Sequence, residues 1–157
     1  MGPSMILIVE DNTDDAELMR RAFGRAWVNE AVTLVRSGEE ALAYFKGEGQ
    51  YADRGAFALP RLVLLDLRMP GVDGFDVLAW LRGEPKFKGL PVIVVTGSDY
   101  EKDVARAYQM GANSFVVKRA GWENFDKDVR EVIKFWLGAC VLPASSGRDP
   151  GVERAEG

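Results

Sequence analysis

Groups with complementary chemistry stand at the ends of apolar runs. Glu10 and Asp11 follow MILIV, Asp66 ends LVLLD, Thr96 ends VIVVT and Lys118 ends SFVVK. Taken singly, each reads as the ordinary solvated end of a buried strand. Taken together that reading weakens, because successive runs end in groups suited to one task. Carboxylates a few ångströms apart repel one another, so one must hold a proton or a cation must neutralise them. Oxygen-only ligands completed by water suit Mg²⁺ better than zinc or copper. A lysine and a threonine hydroxyl beside a metal-bound carboxylate suit a phosphoryl group, whose equatorial oxygens take cations and a hydrogen bond. A carboxylate is also a competent nucleophile toward phosphorus, giving an acyl phosphate.

What the chain lacks narrows the chemistry further. It has no histidine, which excludes Ser-His-Asp and Cys-His catalysis, His-ligated zinc and a phosphohistidine of its own. A single cysteine, Cys140, excludes an internal disulfide and a Cys-rich zinc site, and it fits a reducing, cytoplasmic setting. A length of 157 residues, 47% hydrophobic and 28% charged, describes one folded soluble domain rather than a disordered chain. The net charge of −4 makes nucleic acid and anionic membrane poor partners. No apolar run is long enough to span a bilayer, and no signal peptide opens the sequence.

Bringing the site groups together requires the apolar runs to be neighbouring strands. Met5–Val9, Ala31–Val35, Leu62–Asp66, Val92–Thr96 and Ser114–Lys118 are short and rich in β-branched residues, as strands buried on both faces are. Between them, Thr13–Ala26 places Leu18, Met19, Ala22, Phe23 and Ala26 on one helical stripe. Ser37 followed by Glu40 has the spacing of a capping box for a second helix. The turn Pro70-Gly71 and Asp73-Gly74 leads to a helix over Phe75–Arg82. Gly97-Ser98-Asp99 offers caps for a helix running to Met110, and Gly111 is placed to end it. The last helix spans Trp122–Leu137, with Phe125, Val129, Val132, Ile133 and Trp136 on one face and Gly138 as its stop.

Residues 47–60 are polar, glycine-rich and aperiodic, an unusually long loop. Its Gly47-x-Gly49-x-x-Ala52 superficially matches a dinucleotide fingerprint, but it follows a helical stretch rather than a strand. The expected organisation is an added remnant at residues 1–4, one domain over 5–142 and a mobile tail over 143–157. Five strands alternating with five helices give an α/β fold, a doubly wound five-stranded parallel sheet covered on both faces. In such folds ligands collect outside the carboxyl ends of the strands, where Glu10, Asp11, Asp66, Thr96 and Lys118 stand.

Glu10-Asp11, LLDLRMPGVDG around Asp66, VVTGS around Thr96 and FVVK ending at Lys118 resemble the receiver domain of two-component response regulators. The resemblance covers about Met5 to Leu137 and implies the flavodoxin-like strand order 2-1-3-4-5. It implies Asp66 as phosphoacceptor, with Mg²⁺ held by Glu10, Asp11, Asp66 and the Arg68 main-chain carbonyl. It further implies that Lys118 pairs with the phosphoryl group, that Thr96 moves to bond it, and that Phe115 repositions with Thr96. The donor would be a partner histidine kinase, and with no output domain after the receiver the signal would leave through protein contacts. The long loop before Pro60 and FWLGACVLP after the last helix resemble the stand-alone receivers paired with bacterial phytochrome-type kinases.

The sequence departs from the family at Glu10, where aspartate is also common, and at Arg119, where a proline usually follows the lysine across a cis peptide. Lys118–Arg119 is therefore either a costly non-proline cis bond or a trans bond that shifts Lys118. Phe135 lies off the buried stripe of the last helix and offers a homodimer or partner surface, or the edge of the core. Two competing functions remain. An aspartate-nucleophile phosphatase needs a second acid two residues after Asp66, where this chain has Arg68. A receiver-like binding module that is never phosphorylated needs no such acid.

Overall fold

The structure is a computed structural model and describes residues 5–25 and 31–144. The expected remnant at 1–4, Ala26 of the first helix and residues 145–157 of the expected tail lie outside the described residues. The elements alternate as β1 (Met5–Val9), α1 (Thr13–Arg25), β2 (Ala31–Val35), α2 (Gly38–Lys46), β3 (Leu62–Leu65), α3 (Gly74–Gly83), β4 (Val92–Thr96), α4 (Glu101–Gln109), β5 (Ser114–Val117) and α5 (Trp122–Ile133). The strands form one parallel sheet in the order β2-β1-β3-β4-β5. This is the doubly wound α/β sheet that the apolar runs require.

Side chains alternate across each strand, so every strand feeds two cores. Ile6, Ile8, Leu62, Leu64, Ile93 and Val95 meet Met19 and Phe23 of α1 and Phe125, Val129 and Ile133 of α5. Leu7, Val9, Val63, Leu65, Val92 and Val94 meet α2, α3 and α4 through Tyr44, Phe45, Phe75, Leu78, Leu81 and Ala107. Residues buried on both faces explain why the strands read as continuous apolar runs.

Helix starts follow local polar chemistry, with one correction. The Ser37 hydroxyl accepts from the Glu40 amide at 3.0 Å, and Asp73 and Asp76 form a reciprocal capping box at α3. The Gly97-Ser98-Asp99 segment does not cap α4. The N-terminal flank of α4 is Tyr100, with no side-chain cap, and the Ser98 hydroxyl is bound instead to Asp103 inside the first turn. Gly111 ends α4 with φ +100°, as its position suggests.

Gly138 does not stop the last helix. After Ile133 the chain widens into a π-type turn over Lys134–Ala139 that runs through Gly138, and the Cys140 amide donates to the Phe135 carbonyl at 2.8 Å. Trp136 and Leu137 still pack on the α1/α5 core, which holds the extra turn against the propensity of glycine.

The long loop is packed rather than open. A 3₁₀ turn at Gly49–Ala52 buries Tyr51 against Tyr44 and Phe57, with ring centroids 4.8 and 5.0 Å apart. The Tyr51 hydroxyl donates to Glu40 at 2.6 Å, and Arg54 donates to the Tyr44 and Phe45 carbonyls at the end of α2.

At the start of α3 the helix touches the strand that carries Asp66. A Cβ on Gly74 would stand 2.1 Å from the Asp66 carbonyl oxygen and 2.7 Å from the Leu67 Cα. Gly74→Ala must therefore push α3 off the end of β3, at an expected cost of about 2 kcal/mol. Urea unfolding should show a lowered midpoint for Gly74→Ala, whereas Gly83→Ala, which meets nothing within 4 Å, should not lower it.

Candidate functional site

The parallel ladder extends one residue past β1, β3 and β5 and so sets the site's frame. The Glu10 amide donates to Val35, the Asp66 amide to Val9 and the Lys118 amide to Thr96, at 3.0, 3.0 and 2.8 Å. This places the acids of the first and third strands side by side at the carboxyl edge. One oxygen each of Glu10, Asp11 and Asp66 lies within 4.8 Å of the others. Glu10 is fully buried and Asp66 nearly so, while Asp11 is exposed. They line an open cleft of about 620 Å³, whose wall also includes Asn12, Asp15, Arg68 and Lys118.

Lys118 reaches into this cleft from the end of β5. Its ammonium lies 2.6 Å from Glu10 Oε2, 2.9 Å from Asp15 Oδ2 and 3.6 Å from Asp66 Oδ2. Asp15 comes from the first turn of α1 and was not picked out by the sequence. An acid there signals only the usual complement to a helix N-terminus. Asn12 shapes the same turn, accepting from the Asp15 amide through its side chain while its own amide donates to Glu10 Oε1, both at 3.0 Å.

The electrostatics follow from this crowding. Burial drives the Glu10 carboxyl up to about 7; the Lys118 bond pulls it down, but Asp66 adds to the rise. Burial alone would lower Lys118, yet its bond to Glu10 and the charge of Asp66 hold its ammonium above the usual lysine range. The two rises agree: the lysine stays charged, and one acid is short of a counter-charge.

Thr96 and Phe115 do not line the cleft. Thr96 is completely buried at the end of β4, and its Oγ1 has no hydrogen-bond partner. An unpartnered buried hydroxyl is costly to keep and stands ready for an acceptor. Phe115 is level with Val94 in the β4–β5 ladder and packs on the α2/α3/α4 core, on the face that alternation also gives to Thr96.

Arg68 leaves the cleft in another direction. Its amide faces Asp66 Oδ1 at 3.4 Å, while its guanidinium pairs with Asp103 of α4. Ser98 donates to the same Asp103 oxygen at 2.5 Å. This serine, with Arg68, keeps the Asp103 carboxyl below the usual aspartate range. Among the described residues no peptide bond is cis, so Lys118–Arg119 runs trans. Arg119 instead makes a two-pronged pair with Asp128 of α5, both contacts 2.6 Å.

The sequence profile of the response regulator receiver domain matches residues 6–130. The chain is 38% identical over 136 residues to the probable methanogenesis regulatory protein FilR2 of Methanothrix harundinacea, covering 87% of this chain and 85% of that protein. It is 33% identical over 143 residues to response regulator Rcp1 of Synechocystis, covering 91% and 95%. The Mn²⁺-bound structure of Rcp1 superposes with a TM-score of 0.84 over 90% of this chain and all of that one. The phosphorylated cyanobacterial phytochrome response regulator RcpA superposes with a TM-score of 0.85 at 36% identity, over 91% of this chain and all of that one. Receivers of this kind are signalling phosphoacceptors that work with histidine kinases, not catalysts of a metabolic reaction. The acids and lysine at the sheet edge, the strand order and these likenesses agree, and the chain belongs to the response regulator receiver domain family.

Proposed function

We propose that this chain is a phosphorylation switch in which Asp66 accepts a phosphoryl group from the phosphohistidine of a partner kinase. The observation that carries the reading is the Asp66 carboxylate at the cleft, within 4.8 Å of two further acids and 3.6 Å from an ammonium. A hard divalent cation fits the residues present: the donors are all oxygen, and burial, with the Asp66 charge beside it, raises the affinity of Glu10 for a proton. Glu10, Asp11, Asp66 and the Arg68 carbonyl would hold it, with Mg²⁺ the usual ion in receivers. When bound, the ion neutralises charge on the phosphoryl oxygens.

In this reading an Asp66 oxygen forms the new bond to phosphorus as the donor's P–N bond breaks in line. Lys118 pairs with a phosphoryl oxygen. The Thr96 hydroxyl, already buried without an acceptor, donates to another, and Phe115 moves into the space that Thr96 leaves. The surface of α4, β5 and α5 changes with them and carries the signal to a protein target.

The likeness to RcpA and Rcp1 supports a phytochrome-type kinase as donor. Phe135, 55% exposed and stacked edge-on against Trp136, supports a homodimer or partner surface after α5. Among the described residues no helix is long and apolar enough to cross a membrane. That and the single cysteine fit a cytoplasmic protein, and the acidic charge fits protein rather than nucleic-acid partners. Residues 5–142 are the receiver unit.

Incubation with Mg²⁺ and acetyl phosphate should add the mass of one phosphoryl group, and Asp66→Asn or excess EDTA should abolish it. An unmodified wild-type protein would favour the inert binding module, and sustained hydrolysis of phosphate esters would favour the phosphatase. A phytochrome-type histidine kinase should transfer its label to the wild type and not to Asp66→Asn.

The Glu10 rise gives a pH signature. A carboxyl that holds its proton more tightly when folded contributes stability fully present below its unfolded value of 4.5 and lost as pH rises through about 7. Metal-free protein should therefore show a falling urea midpoint between pH 5 and 8. Glu10→Gln should flatten that fall, and saturating Mg²⁺ should reverse it.

A further inference from the structure

Lys118 is held by more acid than the reaction asks for. Of its carboxylate neighbours, Asp66 is the most distant: 3.6 Å, beyond a direct hydrogen bond, against 2.6 Å to Glu10 and 2.9 Å to Asp15. Glu10 is fully buried, whereas Asp15 is 30% exposed on the first turn of α1 and lines the outer wall of the same cleft. Its backbone is fixed by the turn itself, because the Asp15 amide donates to the Asn12 side chain at 3.0 Å.

We propose that Asp15 is a positioning residue that tethers Lys118 away from Asp66 in the resting protein. The inference rests on Asp66 being the phosphoacceptor. An ammonium bonded directly to a nucleophilic oxygen lowers its electron density and must be displaced before attack. One held 3.6 Å away leaves that oxygen free, yet needs only a short movement to meet an incoming phosphoryl oxygen. After transfer the same tether competes with the phosphoryl group for the lysine. Asp15 therefore speeds formation of the acyl phosphate and shortens its life. In the transfer from acetyl phosphate, the Asp66 oxygen–phosphorus bond forms, the acetyl oxygen–phosphorus bond breaks, and acetate leaves with the electron pair.

Asp15→Asn keeps the shape and removes the charge that holds the ammonium. With Mg²⁺ and saturating acetyl phosphate, the rate of phosphoryl gain should fall about tenfold, with no rise in the half-saturating acetyl phosphate concentration. The isolated phosphoprotein should outlive the wild type by a similar factor. In a Lys118→Met background the same substitution should change neither quantity. A helix-dipole or general charge role for Asp15 would persist without Lys118, so equal effects in both backgrounds overturn the proposal, as do unchanged rates in Asp15→Asn.

One measurement needs neither variant nor phosphate. In metal-free wild type, NMR should detect a scalar coupling across the hydrogen bond from Lys118 Nζ to the Asp15 carboxyl carbon, and its absence overturns the tether. A wild type that shows this coupling but takes no phosphoryl group removes the phosphoacceptor reading and with it the purpose assigned to Asp15. A wild type that is phosphorylated while Asp15→Asn behaves identically removes only the tether.

Discussion

One ammonium shared among several carboxylates is the interaction around which this molecule is arranged. Glu10 is entirely removed from solvent, Asp66 almost so, and Lys118 Nζ is the cation within salt-bridge distance of both. Burying charge is costly unless it is paired and hydrogen-bonded. Glu10 meets that demand with Lys118 on one oxygen and the Asn12 amide on the other. The lysine reaches Glu10 from the end of β5, which β3 and β4 separate from β1. Sheet order, the ladder extensions at Glu10, Asp66 and Lys118, and the close seat of Gly74 on the Asp66 carbonyl are thus conditions of a single electrostatic arrangement. Burial and the Asp66 charge still hold the Glu10 carboxyl above its usual range despite the Lys118 bond.

Two ionic links lead away from the site to different helices. Arg68, next but one to Asp66, reaches Asp103 on α4, where Ser98 binds the same carboxylate. Arg106 of α4 lies 4.0 Å over the face of Phe75, and the Arg68 guanidinium lies 5.9 Å from that ring. The second link joins Arg119, directly after Lys118, to Asp128 on α5. In the proposed reading, phosphorylation replaces the Asp66 carboxylate by an acyl phosphate that carries about one more negative charge and brings its oxygens into reach of Arg68 and Lys118 together. It then acts on α4 through competition for Arg68 and on α1 through competition for Lys118, both already bound to carboxylates there.

The sequence disclosed what depends on local pattern. The five apolar runs and the caps at Ser37 and Gly111 are set by neighbours a few residues apart; the structure places them as read, except that β3 and β5 end one residue before Asp66 and Lys118. The site groups were legible because strand ends in a parallel sheet must share an edge. Asp15 was not, because an acid in a first helical turn has an ordinary explanation, and its partner is 103 residues away. Arg68–Asp103 escaped for the same reason, with a separation of 35. Ser98 was misread as a cap because serine before a helix usually is one, but a buried aspartate in the next turn is a stronger acceptor. Gly138 was misread as a stop because propensity argues for one, while Trp136 and Leu137 keep packing beyond it.

The segment after Lys118 shows how a family constraint can be met by other means. Receivers usually carry proline there, and this chain has Arg119, a trans peptide and a fork of two 2.6 Å contacts to Asp128. Arg119 is half exposed, so the pair contributes little to overall stability. Its geometry matters more than its strength. A planar guanidinium bound through two nitrogens to one carboxylate fixes both the distance and the angle between the end of β5 and α5. Lys118 is thereby oriented from three sides: by the β4–β5 ladder through its amide, by Glu10 and Asp15 through its ammonium, and by α5 through the residue that follows it. A rigid ring in the backbone would hold the lysine regardless of what α5 does. An ion pair holds it only while α5 keeps its place, so the seat of Lys118 depends on the packing of α5 as well as on the sheet.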